Sequence, residues 1–302
     1  MQIPPLGEQM KNRLAYLMVV VSPACFCSNM LLARAMAGTL PPVTMATLRW
    51  GLVAALLGLV LWPQIIRHKA VLRAEAGQIL WLGGLGMGLC GAPIYLAGHY
   101  TTATTIGLIY SVCPLLILGF GFLLYRAAVR PVAAAGMVCG LVGVSVILIR
   151  GDLSVLADLA FNTGDLLVVV GTLAFAFYSL GLKYRPSSLP PLVLFAACAA
   201  AGTLWHLPFL VWEIGVQNQT VTLSPSVIGA VFVLVFVSSI GAYLSYGYIV
   251  ARLGAARAGA ALYIVPVYNA VFAIVLLGEV LSGYHLAGLA LILPGLWLAN
   301  RG

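Results

Sequence analysis

Long apolar runs follow one another along almost the whole chain, broken by proline pairs, glycines and isolated charges rather than by polar stretches. They occupy about 14–35, 42–63, 77–99, 101–124, 131–149, 164–183, 190–212, 227–251, 256–278 and 282–300. A bilayer core of about 30 Å takes roughly 20 helical residues per crossing. The chain therefore reads as an all-α integral membrane protein with ten transmembrane helices. The longest joining segments are 64–76, 150–163 and 213–226, too short for a soluble domain.

Composition agrees. Of 302 residues, 63% are apolar and 7% charged, against roughly 45–50% and 25% in soluble domains. That excludes a soluble enzyme, a disordered chain and a secreted disulfide scaffold. Cys25, Cys27, Cys90, Cys113, Cys139 and Cys198 all lie in apolar runs, where cysteine acts as a small apolar residue. Cys25 and Cys27 would fall on different faces of a helix, so no metal site is expected. Gly86-Met87-Gly88-Leu89-Cys90-Gly91 fits a dinucleotide-binding glycine pattern, but no strand precedes it. No cofactor is expected.

Charge sets the orientation. With a cytoplasmic N-terminus, 12 of the 15 Lys and Arg fall on the inner side: Lys11, Arg13, Arg67, Lys69, Arg73, Arg126, Arg130, Lys183, Arg185, Arg252, Arg257 and Arg301. The positive-inside rule then predicts a multi-pass protein of the cell (inner) membrane with both termini cytoplasmic. Lys11 and Arg13 before the first run mimic a signal peptide, but without a small-residue cleavage site the first helix is expected to be retained. The net charge of +8 is spread singly between apolar runs, which is not a nucleic-acid pattern.

The chain also repeats. At a slide of 152 residues Ala103 meets Ala255, Gly107 meets Gly259, Pro114 meets Pro266, Gly136 meets Gly288 and Gly143 meets Gly295. At a slide of 149, Phe26 meets Phe175, Arg34 meets Lys183, and Pro41-Pro42 meets Pro190-Pro191. Residues 1–149 and 150–302 thus read as two five-helix repeats. An odd helix number makes the second enter the membrane from the other side, the inverted-topology construction of many secondary transporters, with substrate between the halves. Pro114 and Pro266, near the middle of the fourth and ninth runs, are candidate hinges.

The segment Leu253-Gly254-Ala255-Ala256-Arg257-Ala258-Gly259, with Tyr263-Ile264-Val265-Pro266-Val267, Leu276-Leu277-Gly278-Glu279, Gly288 and Gly295, resembles the closing motif of the drug/metabolite transporter superfamily, EamA-type ten-helix branch. The first half is similar, at Thr102-Ala103-Thr104-Thr105, Pro114, Gly136 and Gly140-Leu141-Val142-Gly143. Arg49-Trp50 and Ser28-Asn29 resemble the family's Arg-aromatic and polar pairs. Glu279 departs from the symmetry, because its counterpart is Ala127. The resemblance implies inverted five-helix repeats, alternating access and export of small organic metabolites, here most like the aromatic or neutral amino-acid exporters. The partners implied are that small-molecule substrate and the lipid bilayer, with no nucleic acid and a monomer as the working unit.

Candidate chemistry is sparse. An intramembrane Arg is costly and should face protein or water. Arg49 is either a counter-charge for a substrate carboxylate or a gate, or a cap on free carbonyls of a neighbouring helix. Asn29, Tyr95, His99, Tyr110, Tyr178, Tyr243, Tyr246 and Tyr263 join it as cavity candidates, with core packing as the competing reading. His99 follows Tyr95 by one helical turn. Trp62, Trp81, Trp212 and Trp297 lie near run ends, as interfacial anchors do. No run carries Asp or Glu at its centre, which favours gradient-driven transport or coupling through His. The alternatives are a drug or nucleotide-sugar carrier of the same fold and a membrane-embedded lipid-modifying enzyme. The enzyme would need an acid–base pair or metal ligands at the interface, and neither is visible.

Overall fold

The computed structural model describes residues 6–110, 113–128, 130–148, 163–217, 221–277 and 283–301. Among these residues every regular element is helical. The first half holds α1 (Leu6–Ala35), α2 (Pro42–Val60), the short α3 (Trp62–Arg67) and α4 (Lys69–Ala74), α5 (Ala76–Gly83), a π-helical turn (Gly84–Leu89), α6 (Ala92–Ala97), α7 (Ala103–Tyr110), α8 (Cys113–Tyr125) and α9 (Pro131–Leu148). The second holds α10 (Thr163–Tyr184), α11 (Pro191–Gly215), α12 (Pro225–Val235), a second π turn (Phe236–Gly241), α13 (Ala242–Leu253), α14 (Ala255–Ala261), a 3₁₀ turn (Leu262–Ile264), α15 (Val265–Leu277) and α16 (Gly283–Arg301). Counting α5–α6 and α12–α13 as continuous, 6 helices are long and apolar enough to cross a membrane, and four shorter apolar helices accompany them.

The sequence accounts for the boundaries. α2 and α11 each open at the second proline of a pair, where the fixed φ of proline suits the first helical position. α13 stops at Gly254, whose φ of +89° suits glycine and turns the chain back into α14. Pro114 and Pro266 were expected inside continuous helices. The two residues before Cys113 lie outside the described part, and α15, in which Pro266 stands second, follows directly on the 3₁₀ turn Leu262–Ile264 that joins it to α14. The side chain of Pro266 lies outside the described part, as do Glu279 and residues 149–162 around the expected repeat boundary. The expected loop 64–76 contains the short helices α3 and α4.

Apolar side chains fill the interior and also cover much of the surface, and a few polar ones are buried. Val60, Leu123, Val211 and Val275 are exposed, whereas Ser22, Thr44, Arg49, Glu213, Ser238 and Asn269 are buried. The four expected anchor tryptophans are all exposed. α1 lies against α13 and α15, α2 against α11, α10 against α6 and α8, and α9 against α16. Glycine permits the closest approaches. A Cβ at Gly143 would stand 2.7 Å from the Gly288 carbonyl oxygen, and one at Gly295 would stand 2.6 Å from the Gly140 nitrogen. Backbone cannot yield as a side chain can. Gly295→Leu should therefore lower the thermal unfolding midpoint by roughly 5–10 °C. Gly229→Leu, where a Cβ meets nothing within 4 Å, should leave the midpoint unchanged.

Candidate functional site

Arg49, in the first half of α2, is a buried charge, 2% exposed. Its guanidinium makes four hydrogen bonds. Nε donates to Ser239 Oγ at 2.5 Å, Nη2 to the Ser238 carbonyl at 2.8 Å, and Nη1 to Asn29 Oδ1 at 2.6 Å and Tyr95 OH at 2.9 Å. Tyr95 OH in turn donates to Asn29 Oδ1 at 2.7 Å. The recorded hydrogen-bond partners come from α1, α6 and the π turn of the second half, and all of them are neutral. The Arg49 guanidinium also sits 4.4 Å from the Trp50 ring centre.

An aromatic group adjoins this cluster. Trp50 meets Tyr243 edge-on at 5.3 Å, and Tyr243 stacks on Phe195 at 5.3 Å. Phe26 touches Phe175, Tyr243 and Tyr246 with centroids 5.6–6.0 Å apart. Tyr110 and Tyr178 close the group against Phe175 at 6.0 and 5.8 Å. Trp50 Nε1 is buried and has no partner among the described residues. Tyr243 OH is committed to the Gly86 carbonyl at 2.9 Å. A cavity of about 20 Å³ lies between Phe26, Met30, Gly107, Tyr110 and Phe175. That is room for about one water molecule. A second cavity, of about 90 Å³, is lined by Pro114, Ser179, Lys183 and Tyr184 among others.

Seven of the sequence-derived candidates thus fall into two touching groups: Arg49, Asn29 and Tyr95 in the polar one, and Tyr110, Tyr178, Tyr243 and Tyr246 in the aromatic one. His99 does not join them. α6 ends at Ala97, so the helical turn that would have set His99 beneath Tyr95 is not formed, and His99 is exposed while Tyr95 is buried. The side chains of Tyr263 and His285 lie outside the described part. His206 is a packing group: its buried ring lies 3.1 Å from the Gly88 carbonyl through Nε2.

Sequence reasoning missed Ser238 and Ser239, which carry no motif, and it missed Glu213. That acid was expected in an outer loop, but α11 runs on to Gly215 and Glu213 is 2% exposed. Its carboxyl accepts from Val43 N at 2.9 Å, Thr44 N at 2.7 Å and Thr44 Oγ1 at 2.8 Å, at the first turn of α2. The signal was available. α2 begins at Pro41-Pro42 without a Ser, Asp or Asn to cap it, so its free N–H groups need an acceptor from elsewhere. Near the N-terminus of α11, Glu75 takes the Ser187 hydroxyl and Ser188 N. Those donors, the Ser187 hydroxyl foremost, hold its carboxyl below the ordinary carboxylate range.

Apolar helices thus enclose a buried cation and, beside it, a group of aromatic rings. The sequence matches the EamA-like transporter family over residues 13–149 and again over 162–301, and the chain belongs to that family. An uncharacterized transporter of Archaeoglobus fulgidus is 25% identical over 297 residues, 96% of this chain and 98% of the relative. A probable terminal-alkyne amino-acid exporter of Streptantibioticus cattleyicolor is 30% identical over 227 residues, 74% of this chain and 73% of the relative. A protein of known crystal structure superposes with a TM-score of 0.64 at 24% identity, covering 94% of this chain and 96% of that one.

Proposed function

We propose that this transporter is a secondary exporter of small zwitterionic metabolites, aromatic or neutral amino acids above all, working by alternating access in the inner membrane. The observation that carries the reading is the Arg49 guanidinium, buried and held by neutral hydrogen-bond partners alone among the described residues. An uncompensated cation in a low-dielectric site favours an anion. A substrate carboxylate would complete it, with the unpartnered Trp50 N–H as a neighbouring donor. The rings of Phe26, Tyr110, Phe175, Tyr178 and Tyr246 would take the side chain by apolar and edge-to-face contact. The amino-acid exporter among the relatives supports the substrate class.

The architecture proposed is ten membrane helices in two inverted repeats, 1–149 and 150–302, with both termini cytoplasmic. Element boundaries support it. α1 and α2 end and begin 149 residues before α10 and α11 do, and α7 begins 152 residues before α14. The central cavity is too small for an amino acid, so binding requires the halves to separate, as alternating access demands. The test is uptake and efflux in proteoliposomes with labelled amino acids, with and without a pH gradient. Phenylalanine and leucine should exchange across the membrane. If no amino acid moves under any gradient while a drug or nucleotide sugar does, the substrate assignment is wrong.

A further inference from the structure

Two of the membrane helices carry a π-helical turn. Gly84–Leu89 and Phe236–Gly241 are each six residues long and begin 152 residues apart, the slide at which the sequence repeats. Gly86 and Ser238 hold the same place in their turns, and each offers its carbonyl to a side chain from the other half. Tyr243 OH donates to Gly86 O at 2.9 Å, and Arg49 Nη2 donates to Ser238 O at 2.8 Å. The second turn is held twice. Ser239 Oγ accepts from Arg49 Nε and donates to Leu234 O, five residues back, at 2.7 Å.

A π turn carries one residue more than an α turn and recurs at functional sites. Tightening it to α geometry would rotate everything beyond it by about one residue, roughly 100°, and shift it by about 1.5 Å. Such a turn has two discrete arrangements, and a side chain that binds only one of them selects it.

We propose that the two π turns are a coupled pair of hinges, with Arg49 clasping the second and Tyr243 acting as a positioning residue that clasps the first. The link between them is short. Tyr243 stands two residues beyond the second turn, so tightening that turn swings its ring and draws the hydroxyl off Gly86. In the transport reading, on which this step rests, a substrate carboxylate that draws Arg49 from Ser238 releases the second turn, and Tyr243 then releases the first. Capture at Arg49 would thereby be transmitted to both halves.

Amide hydrogen exchange on the full chain in lipid nanodiscs, with no substrate present, tests the coupling. Ser239→Ala has no recorded contact with the first turn, yet it should raise exchange at least fivefold in 84–89 as well as in 236–241. Tyr243→Phe keeps the ring and should do the same. Exchange in α9 and α16 should not change. If each substitution loosens only its own turn, the hinges are independent and the proposal fails. With L-phenylalanine in proteoliposomes, Tyr243→Phe should cut maximal flux at least fivefold with KM unchanged within twofold. An equal rise in KM would make Tyr243 a binding group and overturn its positioning role. If L-phenylalanine is not carried at all, the amino-acid reading falls while the exchange result still decides the coupling.

Discussion

Arg49→Ala should abolish amino-acid flux, and Arg49→Lys should raise KM roughly 10- to 100-fold while the protein still folds. The guanidinium reaches four partners on three elements at once. A lysine keeps the charge but cannot span that fork, so a carboxylate would lose part of its seat and the Ser238 carbonyl its clasp. Alanine removes the charge and takes a donor from Tyr95, Ser238 and Ser239 in a buried site. Proteoliposome flux measures the effect, and thermal unfolding separates misfolding from loss of function. An amine lacking the carboxylate supplies the discriminating control. It should be carried poorly by the unaltered protein and should respond little to Arg49→Lys. If the amino acid and the amine respond alike, Arg49 braces helices and does not receive substrate.

Glu213→Leu should destabilise the protein by about 2–4 kcal/mol and lower the unfolding midpoint by roughly 5–15 °C. The carboxyl of Glu213 closes the N-terminus of α2 from α11, taking two backbone N–H groups and the Thr44 hydroxyl. Leucine leaves those donors buried without an acceptor and removes negative charge from the positive end of the helix dipole. Glu213→Gln retains one carbonyl oxygen and should fall between the two. Thermal unfolding in detergent reads the midpoint, and hydrogen exchange at 43–46 should rise in Glu213→Leu. An unchanged midpoint with unchanged exchange would mean that α2 finds another cap.

Much of the molecule was legible because a bilayer imposes few choices. Six of the apolar runs correspond to helices long and apolar enough to cross a membrane among the described residues, and shorter apolar helices lie in the other four, since a chain in hydrocarbon must satisfy its backbone internally. Arg49, Asn29 and Tyr95 stood in the sequence only as separate cavity candidates, and the structure brings them together. Other features were not legible. His99 was placed by helical spacing alone, and the end of α6 two residues before it removed the premise. The breaks at Gly84–Leu89 and Phe236–Gly241 carry no Pro, and a π turn depends on what the neighbouring helices offer to its carbonyls.

Taken alone, the amino-acid sequence determined the class, the helix positions, the tandem repeat and the short list of polar groups inside the membrane. These follow from hydropathy, from proline and glycine backbone limits and from the cost of burying charge, all of which act within a short stretch of chain. Tertiary structure decided that Glu213 caps a helix from the other half, that Arg49 and Tyr243 grip equivalent carbonyls, and that the aromatic rings meet in one group. The hydrogen bonds among these join residues more than 150 apart in the chain, and only the packing of helices on helices brings such groups within hydrogen-bonding distance.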